Sequence, residues 1–158
     1  MTRHDYLKLA ACIFACLMAG FIGSIATTPA IPTWYASLNK PWFSPPNWIF
    51  APVWALLYIL MGVSLYLVLK NGINDKNRKG FYLFGAQLSL NILWSIIFFG
   101  LKNPFAAFIE ILFLAAAIIL TIIEFRKSDK RAAWLLVPYL AWVIFASVLN
   151  FYVWRLNL

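Results

Sequence analysis

Read as apolar and polar positions, the chain is a series of long apolar runs with short interruptions. The runs cover roughly 7–26, 49–69, 81–101, 104–125 and 132–154. A helix crossing ~30 Å of hydrocarbon needs ~20 largely apolar residues, so each run predicts one transmembrane helix. Gly72, Asn74, Asp75, Asn77 and Gly80 mark 70–80 as a polar loop. Lys102-Asn103-Pro104 predicts a tight turn whose proline suits the first turn of the next helix, and 126–131 predicts a charged turn. The connection over 27–48 differs. The stretch WYASLNKPWFSPPNWIFAPVW (34–54) holds four tryptophans and four prolines. It is too aromatic for a solvated loop and too proline-rich to be helical throughout. It predicts a stiff cap over 34–47, with the second helix starting at Trp48.

Composition agrees. Hydrophobic residues make up 64% of the 158 and charged residues 11%, whereas soluble domains average about 45–50% and about 25%. The expectation is an all-α integral membrane protein: one domain over 1–158, a bundle of five transmembrane helices with a structured, aromatic- and proline-rich first loop. The net charge of +8 does not indicate nucleic acid, because the basic residues form short clusters between apolar runs and no basic face. They report topology instead. Arg3, Lys8, Lys70, Lys76, Arg78, Lys79, Arg126, Lys127, Lys130 and Arg131 fall on one side, against Lys40, Lys102 and Arg155 on the other. The positive-inside rule then places the N-terminus in the cytoplasm, and the first loop and C-terminus outside.

The first run also resembles a secretion signal, with the small-x-small tripeptide Ser24-Ile25-Ala26 and cleavage before Thr27. Against cleavage, Cys12, Cys16, Gly20, Gly23, Ser24 and Thr27 form a small-residue stripe at helical spacing, which lets helices approach closely in lipid. Retention is the expectation. The two cysteines are assigned to packing and His4 has no role.

Polar side chains within the spans stand out because a buried amide without a partner costs a few kcal/mol in hydrocarbon. Gln87 and Asn91, followed by Trp94 and Phe98, share a face of the third helix. Trp54, Tyr58 and Met61 share one on the second, and Pro138, Trp142, Ala146 and Asn150 one on the fifth. Interhelical hydrogen bonding accounts for any one amide. Amides and indoles meeting at similar depth on three helices predict an aromatic ligand cavity. Pro138 is expected to kink its helix, and Glu110 to snorkel to the interface. No carboxylate pair, nucleophile–histidine pair, metal set or phosphate loop is present, so no metal or required cofactor is expected.

Three blocks, WYASLNKPWFSPPNWIFAPVW (34–54), AQLSLNILWSIIFFG (86–100) and PYLAWVIFASVLNFYVWRLN (138–157), resemble the translocator protein or tryptophan-rich sensory protein family, once called the peripheral benzodiazepine receptor. The resemblance covers nearly the whole chain. It implies a five-helix bundle, commonly a homodimer, around a cavity that opens toward the first loop and is covered by it. Its implied ligands are porphyrins such as protoporphyrin IX, benzodiazepine and isoquinoline-carboxamide drugs, and in some cases sterols. Carried over by motif, the site is Tyr35, Pro41, Trp54, Asn91, Trp142 and Ala146, with Gln87 a neighbouring polar position. Trp54 and Trp142 match two indoles proposed to act in porphyrin photochemistry. The sterol-recognition segment matches Leu149 to Arg155 through Tyr152. An aromatic belt ending in a snorkelling arginine explains these residues equally well. The end at Leu158, without a basic tail, points to a bacterial cell membrane. Gly85 and Ser89 form a small-xxx-small pair suited to a dimer.

The leading expectation is a receptor or sensor for porphyrins or other planar lipophiles. The second is an enzyme that degrades porphyrin in light, with protoporphyrin IX as substrate. A transporter ranks last, since five spans cannot divide into equal halves.

Overall fold

The computed structural model describes residues 2–70 and 72–158. All its regular structure is helical, and five helical segments are long and apolar enough to cross a membrane. Helix α1 is Arg3–Ala30, α2 Asn47–Leu69, α3 Arg78–Ser95, α4 Pro104–Ser128, α5 Lys130–Leu135 and α6 Val137–Leu156. The last two together form the fifth span.

α1 starts on a capping box. The Asp5 amide donates to Thr2 Oγ1 (3.3 Å), and the Thr2 amide donates back to the Asp5 carboxylate (2.8 Å). Its far end corrects the expected boundary. The helix does not stop at 26 but runs through Pro29, then through a π-helical turn over Ile31–Tyr35, as far as Ser37. Proline forbids an ordinary helical bond, not a helical path. Pro32 sits at the start of the widened turn, and the Thr33 hydroxyl donates to the Pro29 carbonyl (2.8 Å). The non-helical lid therefore shrinks from 34–47 to 38–46. Trp34 leaves the cap and packs edge-on against Phe98 (5.6 Å). A second π turn, Ile96–Gly100, ends α3 at the same end of the bundle.

Around the bundle the helices run α2, α1, α3, α4 and then the fifth span. Small residues set the closest approaches. A Cβ on Gly62 would lie 2.8 Å from the Ile13 amide nitrogen, and one on Gly20 would run into the Tyr58 ring. One on Gly23 would meet Ser95 Oγ at 3.2 Å. The stripe on α1 is thus a packing surface. A Cβ on Gly85 would meet nothing within 4 Å, and Ser89 beside it is exposed, so this pair faces out of the bundle.

The fifth span breaks where Pro138 predicts it. α5 ends at Leu135, and Pro138 occupies the first turn of α6. The Asp129 side chain caps α5, accepting from the Arg131 amide (2.8 Å), and the Arg131 guanidinium holds the Asp129 carboxyl below its ordinary range. Before the break the span packs on both α2 and α4, and after it mainly on α4 alone. α2 and α6 therefore separate toward the lid, and a space opens between them.

Glu110 corrects another expectation. It does not snorkel; it is buried, and neither carboxylate oxygen meets a donor among the described residues. The reason is helical phase. Ala107, Ile111, Leu114 and Ile118 form the inward face of α4, and Glu110 lies on that face.

Candidate functional site

The space beneath the lid is a cavity of about 370 Å³. α2 supplies Trp54 and Tyr58, α6 supplies Trp142 and Ala146, and the two π turns supply Tyr35 and Phe98. A π turn adds a residue to one turn of helix and re-aims the side chains beyond it. Here two such turns bring Trp34, Tyr35, Phe98 and Phe99 into one aromatic roof, with Tyr35 5.7 Å from Phe99 and Trp94 stacked on Phe98 at 5.2 Å. No Lys, Arg, His, Asp or Glu lines the cavity.

Beneath the cavity lies a hydrogen-bonded chain. The Tyr58 hydroxyl donates to Asn91 Oδ1, and Asn91 Nδ2 donates to the Tyr139 hydroxyl (3.0 Å). Trp54 stacks on Tyr58 at 5.6 Å and meets Tyr139 edge-on at 6.3 Å. A second junction closes the wall between α3 and α6. Trp94 Nε1 donates to Asn150 Oδ1 (3.0 Å), and Asn150 Nδ2 donates to the Pro104 carbonyl (2.7 Å). By contrast, the indole N–H groups of Trp54 and Trp142 donate to no acceptor among the described residues.

Of the residues named from sequence, Tyr35, Trp54, Trp142 and Ala146 line the cavity. Three lie off its wall. Pro41 is buried within the lid, where its carbonyl accepts from the Ser44 amide (3.0 Å). Asn91 is occupied between the two tyrosines. Gln87 is buried deeper, its Nε2 4.0 Å from the Met61 sulfur and its Oε1 without a partner. Leu149 of the sterol-type segment lines the cavity. Tyr152 instead packs on Phe43 of the lid (5.4 Å), and the Arg155 guanidinium lies 5.7 Å from the Trp154 ring centre.

Sequence reading missed two contributors. Tyr139 falls one position off the Pro138–Trp142–Ala146 line, yet it is fully buried and completes the chain to Asn91. The small and hydroxyl residues of α1, among them Ser24 and Thr27, line one side of the cavity. Their spacing in the sequence indicates packing alone. The usable signal was that this stripe carries hydroxyls where packing needs only small volume.

Five apolar spans around an aromatic, uncharged cavity define an integral membrane protein with an internal cavity. Comparison with known proteins places it further. Residues 12–155 match the model of the TspO/MBR family. The chain is 51% identical to the tryptophan-rich protein TspO of Archaeoglobus fulgidus, over 97% of this chain and 99% of that one. It is 40% identical to the human translocator protein over 87% and 82%, and 36% identical to the tryptophan-rich sensory protein of Cereibacter sphaeroides over 85% of each. The chain belongs to the TspO/MBR family.

Proposed function

We propose that the protein is a membrane receptor or sensor that binds porphyrins such as protoporphyrin IX, and also benzodiazepine- or isoquinoline-carboxamide-type ligands, in the cavity beneath the lid. The observation that carries this reading is the wall itself. Trp54, Trp142, Tyr35 and Phe98 surround the space, no charged group interrupts it, and two indole N–H donors are uncommitted. A flat π-system gains from offset or edge-on contact with such rings, each worth about 0.5–1.5 kcal/mol beyond area burial. The N-terminus lies in the cytoplasm and the lid outside, following the distribution of Lys and Arg. The working unit is a homodimer, for which the outward-facing Gly85 and Ser89 offer a close-packing surface.

Titration with protoporphyrin IX tests the reading through tryptophan fluorescence. Saturable quenching at micromolar ligand is expected, weakened several-fold by Trp142→Phe and unchanged by Trp154→Phe. Trp154 stacks on Phe108 (6.1 Å), away from the cavity. Absence of saturation in the unsubstituted protein would overturn the reading.

A second reading, light-dependent breakdown of the porphyrin, draws on the contact of Trp54 with Tyr58 and Tyr139. An indole donating an electron to an excited porphyrin would lie beside two further oxidisable rings. Illumination should then consume porphyrin more slowly with Trp54→Phe than with the unsubstituted protein, whereas equal loss in both is bulk photobleaching.

A further inference from the structure

The cavity has two boundaries of different kinds, and they bear on how it exchanges its contents. The first is the lid. The Asn39 amide donates to Asn157 Oδ1 (2.9 Å), and Asn157 Nδ2 donates back to the Asn39 carbonyl (2.9 Å). Asn39 Nδ2 reaches the Leu156 carbonyl (3.4 Å). Asn157 is itself anchored, its Nδ2 also donating to the Val153 carbonyl (2.8 Å). Among the described residues, these Asn39 bonds are the only hydrogen bonds that join 38–46 to the fifth span, while Lys40 Nζ ties the lid to the end of the first, donating to the Tyr35 carbonyl (2.8 Å). Phe43 adds an edge-on contact with Tyr152. The lid is thus held at two polar points, by Asn157 at the end of α6 and by Lys40 at Tyr35 of the roof.

The second boundary is the seam between α1 and α2. These antiparallel helices touch where Gly62 faces Ile13 and where Gly20 faces Tyr58. Continued by helical turns toward the lid, the facing lines become Ser24 and Thr28 on α1, and Ala55 and Ala51 on α2. Here the helices part. Phe21, Thr28, Ala51 and Ala55 all line the cavity and are all exposed, Phe21 to 60%. A residue that is both wall and surface marks an opening. This one lies within the length of the two spans, so what faces it is acyl chain and not water. Its rim is small or apolar and carries no charge.

We propose that the seam between α1 and α2 is the route by which ligand exchanges with the bilayer, while the Asn39–Asn157 clasp keeps the lid shut. The seam admits planar, uncharged or weakly polar lipophiles already dissolved in the leaflet on the lid side. The proposal rests on reading the cavity as a ligand site, and it moves the way in from the loop to the membrane.

The test uses the full chain in phosphatidylcholine vesicles, with protoporphyrin IX as probe and stopped-flow tryptophan quenching as readout. Ala55→Leu and, separately, Ala51→Leu narrow the seam. Each should slow association and dissociation together, by about tenfold, with the equilibrium constant changed much less. Phe21→Ala should speed both. Asn157→Ala should raise hydrogen exchange of the 38–44 amides, which shows the clasp released, and leave both rates within twofold. The opposite pattern, fast release in Asn157→Ala with unchanged rates in both alanine-to-leucine variants, would overturn the seam and make the lid the gate. If the unsubstituted protein shows no saturable quenching, the ligand-site reading fails first and the seam with it.

Discussion

Glu110 carries a carboxyl group into the interior of the bundle with neither oxygen bonded to a donor among the described residues. Its neighbours on that face are Ala107, Ile111 and Leu114. A buried polar group without a partner costs about 1–3 kcal/mol, and replacing it by an apolar group of similar size removes that cost. Glu110→Leu is therefore expected to raise the midpoint of thermal unfolding in detergent. A lower midpoint would mean that the carboxyl has a stabilising partner. Asn91 is the contrasting case. Its amide is used on both sides, by Tyr58 and Tyr139, so it holds three helices in register while showing the cavity little polarity. Sequence alone separates such residues poorly. Gln87 and Asn91 share a helix face four residues apart, yet one is saturated and the other keeps a bare oxygen, because the partners arrive from other helices.

Among the elements, α1 and α2 show how far a pattern of residues reaches. The close approach at Gly62 leaves no room for a side chain against the Ile13 backbone. Overpacking of this kind costs about 1–3 kcal/mol. Gly62→Leu should lower the unfolding midpoint by several degrees, whereas Gly85→Leu, with open space around it, should leave it nearly unchanged. Comparable losses in both would mean that the Gly85 face is also packed, as it would be in a tight dimer. The spans themselves were legible because hydrocarbon thickness sets their length. The end of α1 was not. Pro29 and Pro32 signal a stop by local rules, but the helix continues because a π turn and the Thr33 hydroxyl accommodate them. That overrun places Tyr35 in the roof. The break at Pro138 was legible as a kink; its effect, parting the fifth span from α2 while it stays on α4 and so opening the cavity, depends on packing that no single helix encodes.

At the scale of the molecule, the bundle is a ring closed tightly at its basic end and parted at the other. At the basic end, Lys79 of α3 and Lys127 share one oxygen of Glu124, at 3.2 and 2.8 Å. Both lysines are exposed, so the cluster adds little stability. Its value is geometric, since it ties α3 to α4 at the end away from the lid. At the parted end, the cavity wall is mostly apolar, as is the lipid outside it, with a few hydroxyls and no charge. A guest moving from acyl chains into such a space gains almost nothing from leaving an oily surrounding. On the proposed reading, what holds it is ring contact and the indole donors of Trp54 and Trp142. Lipid is then both the supply of guest and its competitor. The quantity that governs occupancy is the mole fraction of guest in the membrane, not its concentration in water. Doubling the lipid at fixed protein should move the apparent midpoint for protoporphyrin IX up about twofold on a total-concentration axis, and leave it unmoved once expressed per lipid. A midpoint indifferent to lipid would mean that the guest arrives from water. On this view the bilayer is the first compartment of the binding reaction, and its composition tunes a protein whose own cavity has no charge with which to choose.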